Sequence, residues 1–347
     1  TNRQKRATQL AQRHPVWFVE PMRYIGSVKR ENFVTKESHP LPERMRIISR
    51  GVSLPRSALM PLLENIHNLY LMLKSRCRTV LCFDVFSGLL VFIFSRLVGA
   101  KAFYYCTDHP GESKQPHQFV QRWLVKHVAL PLINAFAHGC VLTAHGLQDL
   151  FPKTATIVLP SDVELSRFEG VPVGDNGHAV FVGSLLPGID YELVANVARR
   201  LPDLVFDFYG DGVCVDEARN AFAGLDNIVL HGYVEKDEVP KVIAQASIGI
   251  IPFRSSPLYR TVSPLKLFEY WAAKKPVVST PTEELRKLAK GVCLFADGED
   301  EWVLRLRELA GETELREKYG EKGYRAVLGV HNAEASLRRL REFIQDQ

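Results

Sequence analysis

Short runs of β-branched and aromatic residues alternate along the chain with stretches whose apolar positions recur every three or four residues. Arg3 to Arg13 reads as a helix, Val16-Trp-Phe-Val19 and Arg46-Ile-Ile-Ser49 as strands, and Arg56 to Lys74 carries helical spacing of Leu and Met. Strand 79–84, helix 85–98, strand 101–106, helix 117–136, strand 140–143 and helix 144–150 follow. Strands that alternate with helices predict a parallel sheet covered by helices.

The stretch Pro160 to Asn176, rich in Pro, Gly and Asp, reads as a linker to a second unit of the same kind. That unit is predicted to run through strand His178–Val182, helix Asp190–Arg200, strand Val205–Tyr209, helix 215–222, strand Ile228–Leu230, helix 237–245 and strand Ile248–Pro252. A helix around Lys266, strand Val277–Ser279, helix 282–289 and strand Val292–Phe295 complete it, and 301–347 is helical and mostly charged. The expected division is 1–165 and 175–331, with a last helix over 332–347 packing back on the first domain. Sheets of this type bind ligands at the carboxyl ends of their strands, so two facing sheets would form one cleft. Residue 1 already lies in or just before a helix, so the first strand and loop of a nucleotide-type domain are missing from the pattern.

At 347 residues the chain suits two domains, and its apolar and charged shares, 46% and 24%, are those of a soluble globular protein. The net charge of +5 hides an asymmetry: Lys and Arg outnumber Asp and Glu by 22 to 12 over 1–172 but trail by 22 to 27 over 173–347. The basic half is expected to face something anionic. The six cysteines form no C-x-x-C pair and several sit in apolar runs, which predicts buried free thiols in a reducing compartment. No signal-peptide pattern is present, and the most apolar run, Val85 to Phe94, is too short to span a bilayer.

The most informative stretch is Ser263-Pro-Leu-Lys-Leu-Phe-Glu-Tyr270. Ser263 reads as an N-cap with Pro264 at the first helical position, followed by Leu265 and Lys266. A cation so near a helix start opposes the helix dipole by about 0.3–1 kcal/mol. An anion docked there reverses the sign, because free N–H groups, dipole and ammonium then converge on it. Glu269 shares that helical face and can accept hydrogen bonds from sugar hydroxyls. Phosphate beside ribose describes a nucleotide-sugar; a solvated Lys–Glu pair on an amphipathic helix is the plain alternative.

With these residues in view the chain resembles a GT-B glycosyltransferase over nearly its whole length. Val180-Phe-Val-Gly183-Ser184, Phe208-Tyr-Gly210-Asp-Gly212, His231-Gly-Tyr233-Val234, Ile251-Pro-Phe253 and the Lys266–Pro276 block occur in the order of that fold's donor domain. Pro257-Leu-Tyr259 through Lys266 is similar to the donor loop of the bacterial xanthan glucuronosyltransferase type, where a Tyr and a Lys hold the nucleotide. The larger family-4 glycosyltransferases are also similar. The resemblance implies an α/β fold of two Rossmann-like domains facing across a cleft. Departures are plain: family 4 pairs two acidic residues, and the partner position of Glu269 is Thr261, which puts a retaining mechanism in doubt. The glucuronosyltransferase type has Gln at Glu269, and a Gly common before Lys-Pro-Val-Val is Lys274 here, which removes a helix-ending left-handed residue. The hinge reads Pro160-Ser-Asp162-Val-Glu164 in place of Pro-Asn-Gly-Val-Asp.

The resemblance places an inverting enzyme's catalytic base at Asp108, just past a buried strand, where a carboxylate would take the acceptor hydroxyl proton. A turn-capping Asp before Pro110 is the alternative. His109 beside it is read as an acceptor contact or a plain loop residue. Gly183, Ser184 and Leu185 follow a strand and would bring backbone N–H groups to phosphate, with Gly210 alongside. Tyr233 and Val234 would flank the base, or Tyr233 is a buried structural residue. Arg254 and Tyr259 precede the anion helix and would contact the pyrophosphate, against simple surface placement. No Asp-x-Asp motif precedes a suitable strand, so Lys266 and the helix start are expected to neutralise the leaving group without metal or cofactor.

Arg44, Arg46, Arg50 and Arg56 adjoin an apolar helix, a combination that suits docking onto anionic lipid, although packing on the sheet is the commoner fate of such a stripe. The expectation is a glycosyltransferase moving glucuronate or a hexose from a UDP-sugar to a saccharide, free or lipid-linked, with inversion. It would work in the cytoplasm, peripheral at the inner face of a bacterial membrane. A retaining family-4-like transferase, a UDP-sugar 2-epimerase, and a non-catalytic nucleotide- or nucleic-acid-binding protein are the rivals. The epimerase needs more carboxylates and histidines than are well placed, and the basic half lacks the interleaved aromatics of a stacking platform.

Overall fold

The computed structural model describes residues 60–347, apart from 87, 108, 111–118, 255 and 256. It also describes four short earlier strands: β1 (Val16–Val19), β2 (Arg23–Tyr24), β3 (Met45–Ile48) and β4 (Ser53–Leu54). The expected helix Arg3–Arg13 and the expected base Asp108 lie outside the described residues. Two compact units emerge: Thr1–Val141, Leu150–Ile157 and Leu337–Gln347 form one, and Leu142–Asp149 with Val158–Ser336 form the other.

In the first unit β5 (Thr79–Cys82), β6 (Lys101–Cys106), β7 (Gly139–Leu142) and β8 (Thr156–Val158) make a four-stranded sheet in that order. The sequence reading has no strand at β8. Helix α1 (Met60–Ser75) falls on the expected helical stretch, and helix α2 (Leu89–Ser95) is shorter than its apolar pattern. The expected helix 117–136 is corrected to α3 (Phe119–Leu124), a π-turn (Val125–Ala129) and α4 (Leu130–Phe136). Pro131 at the start of α4 has no N–H to give the carbonyl of residue 127, and the wider turn precedes it. The expected helix 144–150 is a 3₁₀ turn, His145–Leu150. In the last helix, the Phe343 ring lies 5.9 Å from that of Phe103, edge to face.

The second unit holds a six-stranded sheet of order β11-β10-β9-β12-β13-β14, parallel throughout. Its strands are β9 (Ala179–Val182), β10 (Phe206–Tyr209), β11 (Ile228–Gly232), β12 (Ile248–Ile251), β13 (Val277–Ser279) and β14 (Leu294–Phe295). In order along the chain these are positions 3-2-1-4-5-6, the doubly wound dinucleotide-binding arrangement, whose winding reverses between β9 and β12. Each face of the sheet has its own core. Phe181, Phe206, Phe208, Ile250 and Val278 pack beneath α5 (Tyr191–Arg200) and α6 (Val215–Ala221) on one side. Val180, Val182, Ile251 and Val277 pack beneath α7 (Val239–Gln245) and α8 (Leu265–Ala272) on the other.

The β9–β12 pairing covers only Ala179–Ile248 and Val180–Gly249, after which the strands part. Tyr270 of α8 fills the parting. Its buried hydroxyl accepts the Val182 N–H at 3.0 Å and donates to the Ile250 carbonyl at 3.4 Å. Gly249 makes room, since a Cβ there would come within 2.5 Å of the Tyr270 ring. Ser263 is not the N-cap of α8: the helix starts one residue later, with extended Pro264 at its cap. The Ser263 side chain serves a different contact, accepting the Ser161 N–H at 3.1 Å, while Ser161 Oγ donates to the Ser263 carbonyl at 2.9 Å. The helix end is also corrected. Lys274 keeps the left-handed conformation expected of glycine, with φ 57°, and the bonds Lys274 N–H to Trp271 and Lys275 N–H to Tyr270 close a Schellman turn. Its side chain is held by Glu321 at 3.4 Å and lies 4.7 Å from the Tyr324 ring centre, which offsets part of the conformational cost.

Tyr270→Phe leaves the buried Val182 N–H without its acceptor, so urea unfolding should show a loss of about 1–3 kcal/mol. An unchanged midpoint would mean that the hydroxyl does not hold the parted strands.

Candidate functional site

Chemistry gathers where β9 and β12 part. The chain after β9 turns at Gly183 (φ 145°) and the chain after β10 at Gly210 (φ 150°), both in the region favoured by glycine. The two turns touch: a Cβ on Gly210 would lie 1.9 Å from the Gly183 carbonyl oxygen. The N–H groups of Gly183 and Leu185 are spent on the carbonyls of Tyr209 and Asp211, at 2.9 and 3.0 Å. Backbone contact with a phosphate at this turn would therefore fall to Ser184. Beside it is a cleft of about 260 Å³, lined by Leu185, Gly210, Leu230, His231 and Gly232 among others.

Lys266, in the first turn of α8, carries its ammonium into the same spot. The Nζ atom lies 3.8 Å from the centre of the Phe181 ring and 5.7 Å from that of Phe253, against the Cα of Gly183. Phe181 belongs to β9 and Phe253 follows β12, so the cation sits at the reversal of the sheet. Burial pulls its pKa down to about 7, with the nearby Glu269 carboxylate as a smaller opposing influence. A lysine held this way binds a proton readily once an anion arrives.

The other expected residues take up clear positions. Glu269 is mostly buried and faces Arg167, whose Nη1 is 3.7 Å from its Oε1. Arg254 is tied to Glu217 at 2.7 Å, an ion pair that lowers the Glu217 pKa, chiefly through the hydrogen bond. The Tyr259 ring stacks toward Phe253 at 5.3 Å and lies against Gly188, and burial raises its hydroxyl pKa. Tyr233 is 66% exposed, which excludes a buried structural role, and Val234 packs on the core. Pro264 is buried and Leu265 exposed. His109 is half-buried, and all six cysteines are free thiols. Among the described residues no group of three or more His, Cys, Asp or Glu could hold a metal ion.

Two constellations have no expectation behind them. Asp207 on β10 is gripped by two histidines, His178 Nδ1 and His231 Nε2, each at 2.7 Å, and the His231 ring stacks on Tyr209 at 4.1 Å. Glu284, 1% exposed, binds both the backbone N–H and the ring Nδ1 of His145. The partners stand 24, 29 and 139 positions apart, so no spacing rule could link them.

Comparison with known proteins bears on the fold. A family model described as Glycosyl transferase-like matches residues 191–342, less than half of the chain. TuaH of Bacillus subtilis (strain 168), provisionally assigned as a teichuronic acid biosynthesis glycosyltransferase, is 34% identical over 123 residues. That stretch is 35% of this chain, which spans only 30% of the length of TuaH. Among solved structures, Anabaena HepE in complex with UDP and glucose aligns with TM-score 0.65 and 14% identity over 87% of this chain and 86% of HepE. Sucrose-phosphate synthase from Thermosynechococcus elongatus aligns with TM-score 0.74 and 13% identity over 99% of this chain and 92% of that one. The chain therefore has the GT-B glycosyltransferase fold. Its second unit carries all but the last few residues of the glycosyl transferase-like match.

Because the folded pKa of Lys266 lies below its unfolded value, protonating it in place costs stability, fully below pH 7 and not at all above about pH 10. Lys266→Met should stabilise the ligand-free protein by about 1–3 kcal/mol near neutrality, the gain fading as pH rises toward 10. Thermal unfolding across that pH range checks both sign and slope.

Proposed function

We propose that the chain is a glycosyltransferase that moves a sugar from a UDP-sugar to a saccharide acceptor, with inversion and without a metal. The observation that carries this reading is the Lys266 ammonium at the parting of β9 and β12, beside the Gly183 turn and the first turn of α8. A diphosphate placed there meets a cation and a helix start together, and the leaving UDP is stabilised by them as its charge develops. Complexes of HepE with UDP and with UDP-glucose support a uridine donor. The 260 Å³ cleft, with Tyr233 exposed beyond Gly232, offers room for the base. Glu269 would take the ribose hydroxyls, exchanging part of its contact with Arg167. Asp108 is proposed as the base on the acceptor hydroxyl and His109 as its neighbour on the acceptor side. The uncharged Thr261 at the partner position of Glu269 favours inversion over retention.

The acceptor is proposed to be a saccharide, lipid-linked and met at the inner face of the membrane. On α1, Leu63, Ile66, Tyr70 and Leu73 form one exposed stripe, 46–53% accessible, ending at exposed Lys74 and Arg76. Such a stripe fits the interfacial zone of an anionic bilayer. Among the described residues no helix is long and apolar enough to cross a membrane. Arg44, Arg50 and Arg56 lie outside the described residues.

Titration calorimetry with UDP tests the donor site. Wild type should take up a proton on binding at pH 8, seen as a dependence of heat on buffer ionisation enthalpy. Lys266→Met should lose that uptake and about 10–100-fold in affinity. Asp108→Asn should keep UDP affinity and lower turnover by about 10²–10⁴-fold; normal turnover removes the assignment.

Sedimentation with vesicles checks the surface. Binding to anionic but not neutral vesicles is expected, and Ile66→Glu with Leu73→Glu should abolish it while UDP affinity stays unchanged.

A further inference from the structure

The His145–Glu284 pair lies outside the diphosphate site yet on the same edge of the second unit. Glu284 stands in the first turn of α9 (Glu283–Leu288), which Thr282 opens by accepting the Leu285 N–H, and it follows β13, one strand beyond β12. Its carboxylate is closed off from water, and both oxygens are committed to one residue: Oε2 to the backbone N–H of His145 at 2.8 Å, Oε1 to its Nδ1 at 2.9 Å. A carboxylate is an acceptor only, so Nδ1 must carry the proton. In the neutral imidazole this fixes the tautomer and makes the opposite nitrogen, Nε2, a lone-pair acceptor, on a ring that is 39% exposed.

The donor loop runs beside the residue that follows the ring. The next residue, Gly146, lies against Thr261, where a Cβ would come within 2.7 Å of Cγ2. Thr261 ends the 3₁₀ turn Pro257–Thr261 that runs into Ser263, Pro264 and α8. The chain that presents Lys266 to a diphosphate thus passes directly beside the dyad. A buried carboxylate serving only as a tie needs no exposed imidazole; a fixed acceptor at the rim of a diphosphate site suits the group attached to that diphosphate.

We propose that Nε2 of His145 accepts a hydrogen bond from a hydroxyl of the sugar carried by the donor, with Glu284 as the positioning residue that sets its tautomer. This rests on the donor-site reading above. His145 then distinguishes sugar nucleotide from bare nucleotide and fixes the sugar's orientation.

The experiment compares dissociation constants, without acceptor, for UDP and for UDP-glucose, UDP-galactose and UDP-glucuronate, taking as probe the sugar nucleotide that wild type prefers most over UDP. Glu284→Gln keeps an oxygen for the His145 N–H but turns its NH₂ toward Nδ1, which drives the ring proton to Nε2 and converts the acceptor to a donor. His145→Ala removes the ring. Both variants should reduce the preference for sugar nucleotide over UDP about tenfold, the worth of one hydrogen bond, with UDP affinity within twofold of wild type. A preference that stays at the wild-type value in both variants, whatever their melting temperatures, overturns the proposal and leaves the pair a structural tie. Equal weakening of UDP and sugar nucleotide overturns it as well, and so does a wild type that prefers none of the three over UDP. Wild type that binds no UDP removes the donor-site reading itself, and this inference with it.

Discussion

A parallel sheet whose chain begins in the middle must send its connections to opposite faces on either side of the first strand. At the carboxyl ends of β9 and β12 the loops consequently diverge, and the two strands no longer pair with each other, although each keeps its outer neighbour. This opening is the condition for the rest of the second unit. Tyr270 keeps it from being a defect: one hydroxyl takes the stranded N–H of Val182 and reaches the Ile250 carbonyl, while Gly249 admits the ring. The same helix then delivers Lys266 one turn earlier, above the gap that Tyr270 closes from below. Support and reactive group are thus four residues apart on one short element, which fixes their relative position without any long loop.

Holding that ammonium over Phe181 and Phe253 is unfavourable for the empty protein. Burial removes more hydration than two aromatic faces and a nearby Glu269 restore, which is why the pKa falls so far. On the donor-site reading proposed above, the site is organised before the ligand arrives, and its instability would be the counterpart of its affinity. Charge supplied by a diphosphate would relieve the strain that the fold imposes. The surface lysine Lys287 is shifted the other way: its hydrogen bond to the i−4 glutamate Glu283 raises its pKa.

Much of this was legible in the sequence because it is local. The strands of the second unit are short apolar runs bounded by glycine, and Gly183, Gly210 and Lys266 sit at strand and helix ends where periodicity breaks. The departures were also local, and each has a competing interaction behind it. Ser263 lost the N-cap because its hydroxyl serves Ser161, a contact 102 positions away, and Lys274 held a glycine's conformation because Glu321 and Tyr324 secure its side chain. The π-turn was marked in the sequence by Pro131, which has no N–H for the carbonyl of residue 127. What no local pattern could carry is the pairing of His145 with Glu284, or of Asp207 with two histidines. Each depends on which strands become neighbours, and strand order is a property of the whole sheet.

Net charge and local field point in opposite directions in the second half of the chain. Residues 173–347 carry 27 acidic against 22 basic side chains, so at long range an anionic nucleotide is not drawn toward this half. Many of those acids are already matched on the surface: Glu217 by Arg254, Asp300 by Arg200, Glu321 by Arg325 and Lys274. Beyond a Debye length of about 8 Å their field is screened in any case. Inside the parting of β9 and β12 screening fails, because protein replaces water and ions, and a single cation with the first turn of a helix governs the potential. Recognition of a diphosphate by this unit, as proposed, would therefore be a short-range affair, decided by geometry within a few ångströms of Lys266. The basic half of the chain is left to govern what approaches over longer distances.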